Sequence, residues 1–215
     1  MDKKLPLYEM MIGDAIEDDE EVDFIALVEY PAIQKNFLAF KDQFVEPSPN
    51  ESKEDFHAVG FNKFNIQNPD QKIVTGALMI ADLPIYRRDG EEEYYVSFSA
   101  AEIKKIVQRF FKKGYQSKVN VEHSTPVDGV FMFESYIIDR EKGIMPPKGF
   151  EDVTDGSWFG SFKVDNEKIW EEVKAGTFKG FSVEGLFKYE KTNKVITEEE
   201  QIMSQIFKIL SQIEQ

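Results

Sequence analysis

Between Lys72 and Tyr189 the chain is a succession of short strand-forming runs cut by turn signals, with two well-capped helical segments among them. Short strands bury an apolar face only by pairing and stacking, so this punctuation restricts the fold to a sheet or barrel with a few packed helices. Lys72 to Ile80 is one run. Leu83-Pro84-Ile85-Tyr86, a turn at Asp89-Gly90 and Glu93 to Phe98 read as a hairpin. Ser99 then offers an N-cap with Glu102 three residues on, and Ile103, Ile106, Val107, Phe110 and Phe111 recur at helical spacing. The spacing predicts a helix from Ser99 to Lys113, closed by Gly114. Lys118 to Glu122 and Val130 to Ile138 read as strands joined through Pro126 and Gly129. Gly143 to Gly156 reads as a long surface loop. Trp158 to Val164 is a strand, Asn166 to Ala175 a helix ended by Gly176, and Phe181 to Tyr189 a last strand. Because the strands come mostly in sequence-adjacent pairs, the expected fold is α+β, mainly an antiparallel β-barrel flanked by helices.

The flanks differ. Residues 1–56 hold fifteen acidic and five basic residues, which accounts for −10 of the net charge of −14. Glu17 to Glu21 reads as a solvated acidic run, and Phe24 to Val28 as a strand. Glu46-Pro47-Ser48-Pro49-Asn50-Glu51-Ser52 reads as a linker. The expected organisation is an acidic, propeptide-like arm over 1–56, a domain over 57–195 and an amphipathic helix over 196–215. That helix opens on a capping box at Thr197 and carries Ile202, Ile206, Ile209 and Ile213 as one stripe. Such a stripe packs on its own core or docks a second copy of the chain.

The acidic balance argues against nucleic-acid binding, which needs excess Lys and Arg to neutralise phosphates. There is no cysteine, hence neither a disulfide framework nor a thiolate. The N-terminal residues lack an apolar signal core, and no apolar run reaches membrane-spanning length, so a soluble intracellular protein is expected. Gly-rich phosphate loops and EF-hand spacing are absent, and two histidines without cysteine make a zinc site improbable. No cofactor and no metal are expected.

Nucleophilic chemistry, if present, points to two segments. Val119-Asn120-Val121-Glu122-His123-Ser124 puts a histidine at the end of a strand. Gly180-Phe181-Ser182-Val183-Glu184-Gly185 puts a serine between two glycines, where a backbone could approach a substrate closely. A serine hydroxyl becomes a nucleophile when a base takes its proton, and histidine is the usual base near neutral pH. The spacing is not the Gly-x-Ser-x-Gly elbow. A third group must orient the imidazole. Glu134 would come back alongside His123 if the two strands around the Pro126 loop formed a hairpin. Glu184 shares the strand face of Ser182 and is the alternative; Glu122 should point away. His57 reads as a surface residue.

The order of several segments resembles the serine prohead proteases of tailed bacteriophages, in particular the group found in prophage-like elements. These segments are Gly76 to Ile80 with Ile85-Tyr86-Arg87, Val121 to Ser124, Glu134 to Ile137, Gly156-Ser157-Trp158 and Lys179 to Gly185, together with Ala26 to Ile33. The resemblance implies a fold like that of the herpesvirus assemblins, a β-barrel wrapped by helices, with Ser182 as nucleophile and His123 as general base. It implies an endopeptidase that sits inside the immature capsid in the host cytoplasm and cuts scaffold and major capsid protein segments, and itself. Neither a nucleic acid nor a membrane is implied as a partner. It leaves the acid open between Glu134 and Glu184. For the oxyanion hole, backbone N–H groups near Ser182 and an arginine such as Arg140 are candidates.

Overall fold

The computed structural model describes residues 5–15, 17–29, 64–68, 71–89, 91–192 and 196. In chain order the elements are β1 (Leu7–Met11), β2 (Val22–Val28), β3 (Phe64–Asn68), β4 (Ile73–Met79), β5 (Ile85–Asp89), β6 (Glu92–Ser97) and α1 (Ala100–Lys112). There follow β7 (Val119–Val121), β8 (Thr125–Pro126), β9 (Val130–Ile137), β10 (Trp158–Val164), α2 (Glu167–Ala175), β11 (Gly180–Gly185) and β12 (Lys188–Lys191). The fold is α+β and mainly β. The strands form three four-stranded sheets rather than a closed barrel, in the orders β12-β1-β6-β5, β3-β4-β10-β9 and β11-β2-β7-β8. Pairing is antiparallel except for β1 with β6 and β2 with β7.

The sheets share one core because each turns an apolar face inward. Ile25 and Leu27 of β2, Phe162 of β10, Phe181 of β11 and Trp158 are fully buried in one cluster. Phe162 and Phe181 bridge two sheets with ring centroids 4.5 Å apart. Helix α1 adds Ile103, Ile106 and Phe110, and Phe110 meets Trp158 edge-on at 5.4 Å. Edge-on aromatic pairs of this kind add to the burial of their area.

The two helices expected between Lys72 and Tyr189 both form, each with a side-chain N-cap. Ser99 Oγ accepts from Glu102 N at 3.3 Å, and Asn166 Oδ1 accepts from Lys168 N and Ile169 N. Gly176 stops α2 at φ +74°, a conformation in which a Cβ would be strained. The Glu102 side chain does not complete the capping box. It accepts instead from Ile12 N at 2.6 Å, and Arg109 of α1 donates to the carbonyls of Gly13 and Glu20. Helix α1 thereby clamps the connection between β1 and β2.

That clamp alters the reading of the N-terminal residues. β1 lies between β12 and β6, and β2 between β11 and β7, so residues 5–29 supply interior strands to two sheets. The acidic run is tied down as well as solvated: Lys113 pairs with Glu21, Tyr115 donates to Glu21 at 2.9 Å, and Lys188 lies 3.4 Å from Glu20. Residues 30–56, His57 and the helix expected over 197–215 lie outside the described residues.

Two further differences matter for the site. The run Phe181 to Tyr189 is divided: β11 joins the sheet of β2, while β12 pairs with β1 in another sheet. The strands on either side of the Pro126 loop do not form one hairpin. β7 pairs with the two-residue β8, and β9 pairs with β10 in a different sheet. Side chains on distant strands, not the chain-local return, therefore surround His123.

Candidate functional site

The site is built on the sheet β11-β2-β7-β8. Ser182 stands opposite Ala26 on β2, and Ala26 stands opposite Asn120 on β7. Directly paired residues share a face, so Asn120, Ala26 and Ser182 form one row. The core takes the other face, through Phe181, Ile25, Leu27 and Val119. Ser182 and Asn120 are nonetheless buried, at 6% and 4% exposure.

Glu184 lies two residues beyond Ser182 and so shares its face. Its Oε2 accepts from Asn120 Nδ2 at 2.6 Å and lies 3.3 Å from His123 Nδ1. The carboxylate thus reaches from β11 across β2 to β7. The methyl side chain of Ala26 at the centre of the row leaves room for this crossing. Asn120 Oδ1 is buried and has no hydrogen-bond partner.

His123 is placed by a tight turn. Ser124 N donates to Val121 O at 3.0 Å, and the two central residues, Glu122 and His123, both have positive φ, at 49° and 53°. Val121 pairs with Thr125, so this turn forms the start of a three-residue loop, and its hand requires left-handed backbone at both central positions. Non-glycine residues held there cost free energy, and such strain concentrates at functional sites. Glu122 points away from the imidazole and accepts from Glu29 N at 2.6 Å.

The Ser182 hydroxyl has no hydrogen-bond partner among the described residues. The hydroxyl of buried Ser97 in β6 likewise has none, whereas other buried or half-buried serines are committed to structure. Ser161 donates to Glu134 and pairs with Thr75 at 2.8 Å, Ser157 accepts from Ala81 N, and Ser135 accepts from Trp158 Nε1.

These contacts redistribute the expected roles. Ser182, His123 and Glu184 come together on one sheet. Glu134 does not join them; it belongs to β9 and holds Ser161 of β10. Arg140 also lies elsewhere. It pairs with Asp155 and donates to the carbonyls of Glu151 and Val153, which fastens the loop after β9. Gly185 does not open space for a substrate, because a Cβ there would sit 2.0 Å from Glu21 O of its own chain. Asn120 escaped notice in the sequence, although the alternation Val119-Asn120-Val121 separates it from the apolar face. No group of His, Cys, Asp and Glu able to hold a metal occurs among the described residues.

The arrangement can hold an imidazole with one nitrogen against a carboxylate, and that carboxylate lies two residues from an uncommitted serine hydroxyl on the same strand face. Residues 62–190 match the model of the family described as "Putative phage serine protease XkdF". The chain is also 27% identical over 165 residues to the phage-like element PBSX protein XkdF of Bacillus subtilis (strain 168). That alignment covers 77% of this chain and 52% of that protein, so the chain spans about half the length of the curated relative. No solved structure matches it. The family match takes in more than half of the chain, with Asn120, His123, Ser182 and Glu184 inside it, and the chain belongs to this family of phage serine proteases.

Proposed function

We propose that this protein is a serine endopeptidase acting by acyl transfer, with Ser182 as nucleophile, His123 as general base and Glu184 as the acid that orients the imidazole. The observation that carries the assignment is the contact of His123 Nδ1 with Glu184, two residues from Ser182 on the same strand face. A carboxylate at Nδ1 favours the tautomer with the proton on that nitrogen, which leaves Nε2 as the acceptor. Nε2 takes the Ser182 proton as Oγ attacks the scissile carbonyl carbon. The same proton passes to the leaving amine when the peptide bond breaks. Water then repeats the sequence on the acyl-enzyme and releases the acid. Apo geometry in such sites is often loose and tightens with substrate.

The proposal extends to a biological setting, supported by the phage family match. The substrates proposed are segments of phage scaffold and major capsid proteins, and the enzyme itself, cut inside the immature capsid in the host cytoplasm. Co-expression with the cognate scaffold and capsid proteins, followed by intact-mass measurement, tests this. Wild type should yield shortened products that Ser182→Ala does not. Identical masses from both would overturn the assignment. One observation favours a second reading, a capsid- or scaffold-associated component that keeps the fold without cutting: Ser182 is only 6% exposed. The same experiment separates the two.

A further inference from the structure

Where the three sheets meet, one cavity is lined by Leu78 of β4, by Ile85 and Arg87 of β5, and by Phe181, Ser182 and Val183 of β11. Successive side chains of a strand point to opposite faces, so three consecutive residues of β11 reach one cavity where it opens at an edge or end of the strand. β11 is the terminal strand of its sheet, so the cavity runs along the edge that no described strand pairs.

The cavity is apolar except for Ser182 and Arg87. Arg87 is half-buried, and its NH1 donates to the neighbouring carbonyl of Tyr86 at 3.1 Å. No carboxylate among the described residues lies within ion-pair distance of it. Burial pulls its guanidinium below the ordinary value, and the groups that oppose this are the phenols of Tyr189 and Tyr94. A half-buried guanidinium without a counter-charge gains from one, and its planar fork is suited to a carboxylate held by two hydrogen bonds.

We propose that Arg87 is a specificity residue that receives the acidic side chain of a substrate peptide, glutamate or aspartate, next to the bond presented to Ser182. The apolar walls take the methylene stem of that side chain, and the guanidinium takes its carboxylate. The proposal rests on Ser182 being the nucleophile for its place in the reaction, but the binding preference can be read without catalysis.

The test uses the full chain carrying Ser182→Ala and two fluorescently labelled peptides, Ala-Leu-Ala-Glu-Ala-Ala and the same peptide with Gln for Glu. Titration by fluorescence anisotropy should show the Glu peptide binding at least tenfold tighter. Adding Arg87→Leu should bring the two within twofold, and Arg87→Lys should keep part of the preference. Thermal unfolding serves as the folding control, and Arg87→Leu is expected to stay close to its parent in stability because it breaks no ion pair among the described residues. Equal affinity for the two peptides, or no binding of either, overturns the proposal. So does an equal loss for both peptides in a folded Arg87→Leu protein, which would mean a general structural role. In parallel, the chain with Ser182 intact is mixed with a peptide library and its cut sites are mapped by mass spectrometry. Cutting with acidic residues enriched at one subsite supports the proposal, and cutting without that enrichment overturns it. A Glu preference in binding with no cutting at all would overturn the peptidase assignment and leave the Arg87 site standing.

Discussion

His123 Nδ1 and Glu184 Oε2 stand 3.3 Å apart, which joins a hairpin turn to an edge strand across the strand that separates them. Both side chains are well exposed, so the pair adds little to stability; its effect is to fix the direction in which the imidazole points. The two candidate acids can therefore be told apart by what each disturbs. Glu184→Gln should lower kcat on a cleaved peptide by about 10²–10⁴-fold, with the fold intact. Glu134→Ala should leave kcat unchanged and cost about 1 kcal/mol of stability, because it takes an acceptor from the fully buried Ser161. Peptide hydrolysis and denaturant unfolding on both variants check the pair, and the opposite pattern would restore Glu134 to the site.

Ala26 sets the room between Ser182 and Asn120, and no other side chain stands in that row on β2. Ala26→Leu should fill the space over which the Glu184 carboxylate reaches Asn120. It should cost about 1–3 kcal/mol by overpacking and abolish cleavage. Ala26→Gly should keep cleavage and cost only about 0.5–1 kcal/mol of strand stability. Activity retained in the Leu variant would show that the crossing is dispensable.

Gly185 closes β11 against the start of β2. Leu186 N donates to Glu21 O, and a Cβ on Gly185 would collide with that same backbone oxygen. Backbone on both sides cannot give way as a flexible side-chain tip could. Gly185→Ala should therefore cost more than about 2 kcal/mol, read from the denaturant midpoint. Gly176→Ala supplies a comparison, since its Cβ would meet nothing within 4 Å and its only difficulty is a φ of +74°. It should cost about 1 kcal/mol.

Asp23 contributes a pH dependence of its own to stability. Burial pushes its carboxyl above the ordinary value against the pull of Lys118, with Glu184 and Glu21 adding repulsion. A carboxyl raised on folding favours the protonated form in the native state. Its stabilising contribution is full below the unfolded value, near about pH 4, and is lost as pH rises through the folded value. At neutral pH the charged group is a burden. Asp23→Asn should therefore raise the melting temperature at pH 7, and the gain should shrink toward pH 4. A gain independent of pH would point to a cause other than ionisation.

Several parts of this architecture were legible locally. Ser99 and Asn166 cap the helices because a short side-chain oxygen reaches the free N–H groups of the first turn, whatever the rest of the chain does. The β5–β6 hairpin pairs Ile85 with Val96 through Asp89 with Glu92, as the turn signal between its strands requires. Glu102 marks the limit of such reading. Its position promises a capping box, yet its carboxylate serves Ile12, ninety residues away. β1 and β3 were not read at all, and Phe24 to Val28, though read as a strand, was placed in an acidic arm rather than in the interior of a sheet.

By itself the sequence determined the mainly β, α+β character, the helix boundaries and the two segments that hold His123 and Ser182, because each depends on periodicity, capping or residue chemistry within a few positions. Only the tertiary structure decided that β2 separates those segments, that Glu184 rather than Glu134 faces the imidazole, and that Arg87 shares a cavity with Ser182. These outcomes rest on pairings between strands tens of residues apart, where register is set by which apolar faces can be buried together. A carboxylate's partner is fixed by that register, and nothing in its neighbouring residues carries the information.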